Sequence, residues 1–216
     1  MSAIQQMQMM GESSYPILEY VGEGGGRSPT LSGIETVTGT LPVPGDVLIM
    51  TWCSIIQSHS PATGNPAVQL VRATGGSFGG YEVEIWGCTV EQGQTTFAFN
   101  RGDETTDDYV WYFFKRVSGR SPVLTVVDSG GGDVSSNNIN YSAPMPCLRL
   151  FSRFNNDGSS ATGYDEFDNP LTGGVDYGRG SVGIVDSGWM VDKTGRGRLY
   201  EVQDGTYLDC DVTVTL

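Results

Sequence analysis

The stretch Gly75-Gly76-Ser77-Phe78-Gly79 has the GxSxG form in which a serine hydrolase presents its nucleophile. That chemistry needs a sharp strand-to-helix turn, and a downstream histidine to take the serine proton. Here the following segment, YEVEIW (81–86), alternates like a strand, and the sole histidine, His59, lies upstream. A chain with 31 glycines produces such a match by accident. His59 sits in QSHSPATGNP, a polar, proline-bounded loop in which an exposed side chain is expected. One histidine also excludes a His-rich metal centre. No catalytic residue is expected.

Carboxylates gather in two stretches: Asp103, Glu104, Asp107 and Asp108, then Asp165, Glu166 and Asp168. Calcium takes six to eight oxygens in one shell, and such loops can supply them. Neither EF-hand spacing nor a glycine–aspartate nonapeptide is present, so solvated loop acids are the expectation, with no metal site and no cofactor. A glycosidase pair needs two carboxylates at a set separation, which acidic loops alone do not establish. Arg101-Gly102-Asp103 reads as a charged turn. Cys53, Cys88, Cys147 and Cys210 show no CxxC spacing, and each lies in or beside an apolar run, as a small core residue does. A disulfide pair stays open. Of the four tryptophans, Trp52, Trp86 and Trp111 fall at strand spacing and read as core. Trp189, between loop and strand, is the candidate for stacking on a sugar ring.

The elements that must position these residues are strands. YPILEYV (15–21), IETVTG (34–39), VQLVRA (68–73), TTFAFN (95–100), VLTVVD (123–128) and CLRLFSRF (147–154) all carry strand patterning. VLIMTWCSII (47–56) is apolar on both faces, which predicts a strand covered on two sides. In YEVEIW, Tyr81, Val83 and Ile85 share one face, and Glu82 and Glu84 the other. YVWYFFKRV (109–117) is the most aromatic run and is expected inside a sheet. At the end, Leu208, Cys210, Val212, Val214 and Leu216 alternate with Asp209, Asp211, Thr213 and Thr215. SGGGDVSSNN (129–138) and residues 155–180 read as long polar loops. Ten to twelve short strands predict a single antiparallel β-sandwich, jelly-roll-like, over residues 14–216.

The bulk numbers agree: 38% hydrophobic and 17% charged residues describe a globular chain, and its glycine content exceeds the usual level of roughly 7%. Two lysines and ten arginines against 25 acids leave a net charge of −13. Such a field repels phosphate backbones and anionic lipid, so neither a nucleic acid nor a membrane is an expected partner. No apolar run approaches the ~20 residues of a membrane span. The opening, MSAIQQMQMM, lacks the basic flank of a signal peptide, and glutamines interrupt its apolar stretch. It nevertheless holds four of the seven methionines. Methionine is flexible and polarisable, and a cluster of them adapts to an apolar groove on another chain. Residues 1–13 therefore read as an anchoring arm, with Ile4, Met7, Met9 and Met10 as the partner-binding side chains.

From LPVPGDVLIMTWC to DDYVWYFFKRV the order of elements resembles a loose group of β-sandwich structural proteins in tailed-bacteriophage virions. The Gly45-Asp46 pair and the apolar strand after it match that group. Its proline-before-tryptophan element has no counterpart in SHSPATGNPAVQL. The IQQMQMMG opening resembles the short N-termini of marine-phage virion proteins. The resemblance implies a non-enzymatic virion protein assembled in the host cytoplasm. It would be displayed on the capsid or tail as a decoration or fibre component and held to other virion proteins by its arm. A symmetric homo-oligomer is expected, a trimer being common in such roles. The alternative is a glycan-binding, lectin-like host-recognition module using Trp189.

Overall fold

A computed structural model describes residues 16–27, 34, 38–55, 59–75, 80–100, 108–134, 138–142, 147–155, 161–165, 175–177, 184–192, 196–201 and 207–215. They form an all-β sandwich whose strand pairings are all antiparallel. Strands are numbered in chain order. The first sheet runs β1 (Ile17–Arg27), β7 (Asp108–Ser118), β2 (Val47–Ile55), β5 (Tyr81–Thr89), β4 (Val68–Thr74). The second runs β12 (Val175–Tyr177), β13 (Ile184–Asp192), β10 (Cys147–Asn155), β15 (Tyr207–Thr215), β8 (Thr125–Val134). A three-stranded sheet joins β11 (Ala161–Asp165), β14 (Arg196–Glu201) and β9 (Asn138–Ser142). A short ribbon joins β3 (Ser60–Pro61) to β6 (Phe99–Asn100). Among the described residues no helix is long and apolar enough to cross a membrane.

The middle of the first sheet, formed by β2, β5 and the Val110–Phe114 part of β7, is buried on both faces. On one, Val47, Ile49, Val83, Ile85, Val110, Tyr112 and Phe114 pack with Leu148, Leu150 and Cys210 of the second sheet. On the other, Leu48, Met50, Trp52, Trp86, Cys88 and Phe113 pack under Ile34, Ala67, Val90 and Phe97 from the connecting segments. Hence β2 is apolar at every described position but Thr51 and Ser54, and β5 is buried from Glu82 to Cys88. Period two still holds, but its second face looks at a covering layer instead of water.

The Gly45–Asp46 turn locks the entry to β2. Gly45 sits at φ 96°, and the Asp46 carboxylate, 2% exposed, accepts from the Val43 and Arg116 backbone N–H groups at 2.9 Å each. The Asp46 backbone also exchanges with Val43 and Val90, so β2, β5 and β7 are tied at one end. An aspartate is required here because it spans two donors from different elements with two oxygens.

Several expectations are corrected. SGGGDV, read as loop, is the second half of β8: Gly130, Gly131 and Gly132 lie opposite Asp211, Cys210 and Asp209. Glycine carries no side chain to alternate, so period analysis is blind there, while the partner strand β15 supplies the pairing. The polar stretch 155–180 likewise contains β11 and β12. Ile34 and Thr38, expected in a strand, are in none, and the Thr38 hydroxyl donates back to the Ile34 carbonyl at 3.0 Å. TTFAFN contributes only Phe99 and Asn100 to a strand. The anchoring arm lies outside the described residues.

Candidate functional site

The polar face of β5 supplies two glutamates that never reach water. Glu82 is fully buried and Glu84 2% exposed, because the face they share with Trp86 lies under the covering layer. Opposite them in register stand Ser54 and Trp52 of β2 and Thr74 and Arg72 of β4. Burying two carboxylates is costly unless each is paired and hydrogen-bonded, so the fold must bring donors to them.

β4 does so through an irregularity. Gln69 and Arg72 are three positions apart, a spacing that puts side chains of an unbroken strand on opposite faces. A register shift between Gln69 and Val71 restores them to the same face. The intervening Leu70 turns inward and, with Ile49 and Leu124, fills the space that a Cβ on Gly87 would need. Arg72 then binds Glu82 Oε2 through Nε (2.9 Å) and Nη2, and its Nε lies 3.7 Å from Glu84 Oε1. Gln69 donates to Glu84 Oε1 at 2.6 Å. Ser54 donates to Glu82 Oε1 at 3.2 Å, and the Trp86 indole to Glu84 Oε2 at 3.3 Å.

The third member arrives from a loop. The segment after β2 is held down by the β3–β6 ribbon and by Asn65, whose side chain donates to the Ala98 carbonyl at 2.7 Å and accepts from Ala67 N–H at 3.1 Å. This places His59 over the glutamates with its side chain out of solvent. Its Nδ1 lies 2.6 Å from Glu84 Oε2 and 3.8 Å from Glu82 Oε1. The Trp52 indole stacks on the imidazole, centroids 4.7 Å apart and planes 15° from parallel. The expectation of an exposed His59 is therefore wrong. Ser60, Thr63 and Gly64 of the loop do face water, whereas its two buried polar side chains, His59 and Asn65, bond to the sheet and to the Ala67 and Ala98 backbone.

The donor atoms of His59, Glu82 and Glu84 all lie within 4.8 Å of one another. Sequence reasoning missed this cluster, although a signal for it existed. β2 reads as covered on both faces, so the polar face of its neighbour β5 had to be covered as well.

Of the other candidates, Trp52 (1% exposed) and Trp86 (8%) are core, as expected, and the half-buried Trp111 packs against the same cluster. Cys88 is a buried free thiol, and Cys210 is buried as well. Burial pushes the Cys88 thiol up from 9.0 to about 12, helped by nearby Glu91 and opposed by a contact from Gln94. Trp189 lies well within β13, its backbone in register with Leu150. Ile4, Met7, Met9, Met10, Ser77, the Arg101–Asp103 tripeptide, Glu104, Asp107, Glu166 and Asp168 fall outside the described residues. Compared with protein-family models, curated proteins and solved structures, the chain finds no match.

Proposed function

We propose that the protein is a non-enzymatic structural component of a tailed-bacteriophage virion. It is an oligomeric β-sandwich displayed on the capsid or the tail and held to other virion proteins through residues 1–13. The observation that carries the reading is the use made of Gly45–Asp46, the pair on which the resemblance to phage virion sandwiches rests. It leads into a strand buried on both faces and ties three strands together at one end. The internal ionisable groups support the same reading. Glu82, Glu84 and His59 are engaged with one another beneath the covering layer, the partly exposed Arg72 closes the set from outside, and their bonds fasten a loop to a sheet.

The test is incorporation into particles. The full chain should co-sediment with assembled virions, whereas a chain lacking residues 1–11 should fold and remain in the soluble fraction. Normal incorporation of the truncated chain would overturn the anchoring role. A full chain absent from purified particles would overturn the virion reading itself.

A further inference from the structure

The His59, Glu82 and Glu84 side chains converge out of solvent, with exposures of 0%, 0% and 2%, and their donor atoms all lie within 4.8 Å of one another. Each carboxylate divides its oxygens in the same way. Glu82 Oε2 and Glu84 Oε1 are the outer pair, held by Arg72 and Gln69. Glu82 Oε1 and Glu84 Oε2 are the inner pair, turned towards His59 Nδ1. An outer layer that fixes carboxylates so that their other oxygens converge is the arrangement that supports a metal ligand set. A second observation concerns the Trp52 indole, which lies against the imidazole: its buried Nε1 has no hydrogen-bond partner.

We propose that His59, Glu82 and Glu84 bind one divalent transition-metal ion, which fastens the loop carrying His59 to the first sheet. One nitrogen and two carboxylate oxygens suit zinc and its first-row neighbours, whereas calcium and magnesium prefer oxygen alone. Zinc bonds of about 2.0–2.2 Å keep donors roughly 3–4 Å apart. The 3.8 Å pair already meets this spacing, and the 2.6 Å pair reaches it by opening less than about 1 Å. The three side chains are closed to solvent, so the ion would hold the loop in place without meeting a substrate, and the inference does not depend on where the protein is displayed.

Zinc is the probe. Full-length protein stripped with a chelator and dialysed against zinc should retain one ion per chain at this site, and its melting temperature should rise. His59→Ala and Glu84→Gln should lose that uptake. Gln69→Ala, which alters only the outer layer, should weaken binding roughly 10–100-fold. X-ray absorption of the wild-type zinc protein should show one imidazole nitrogen in a nitrogen/oxygen shell at about 2.0–2.2 Å, a readout that requires no variant to fold. Failure of the wild type to retain zinc would overturn the proposal. Undiminished uptake by folded variants, or a shell without imidazole, would overturn it equally, placing the ion on the acidic surface.

Discussion

Gly45 and Gly93 both hold positive φ, 96° and 80°, yet the two positions differ in what surrounds them. A Cβ on Gly93 would meet nothing within 4 Å, whereas one on Gly45 would lie 2.5 Å from Arg116 Nε. That guanidinium is tethered, since its Nη1 donates to the Gly119 carbonyl at 2.6 Å. Gly93→Ala should therefore cost about 1 kcal/mol, the backbone penalty alone, and Gly45→Ala about 2–3 kcal/mol. Urea melts of the two variants check this, and equal costs would show that Arg116 yields freely. The strong turn signal in PVPGD was legible in the sequence. The reason for a glycine before the aspartate was not, because Arg116 lies 71 residues away.

At the scale of elements, β2 and β5 are paired on both edges and covered on both faces, whereas among the described residues β1 and β4 each pair along one edge. Amide exchange in β2 and β5 should be slowest, at least about tenfold slower than in β1 and β4, because opening them means dismantling the core. Mass spectrometry of peptides covering 47–55 and 81–89 against 17–27 and 68–74 tests the order. The two-sided character of β2 was legible in VLIMTWCSII, as was the alternation of YEVEIW. The paired glycines of β8 and the bulge in β4 were not. The first has no side-chain period to read, and the second shows its purpose only once Gln69 and Arg72 are seen on one face.

For the whole molecule, burial of the Cys88 thiol makes stability fall at alkaline pH. With the folded value near 12 and the ordinary value at 9.0, the folded chain keeps a proton that the unfolded chain releases. The stabilisation is complete below pH 9 and is lost as pH rises towards 12, at up to about 1.4 kcal/mol per pH unit. Between pH 8 and 10.5 the urea midpoint of wild type should therefore fall further than that of Cys88→Ala. The cavity left by the substitution lowers both of the variant's midpoints alike, so the comparison isolates the thiol. Equal falls would mean that Cys88 ionises as readily folded as unfolded.

By itself the sequence determined that the chain is a β-protein, where most strands of the first sheet run, and that β2 is covered twice, because period and apolarity are properties of contiguous residues. It did not determine that His59 meets Glu84, 25 positions away, beneath a stacked tryptophan. That contact depends on how a loop folds back over a sheet, and loop closure is settled by the packing of Phe97, Ala67 and Asn65 against partners distant in the chain. Local patterning shows that a glutamate faces away from the apolar side of its strand. Only the tertiary structure decides whether water or a histidine is waiting there.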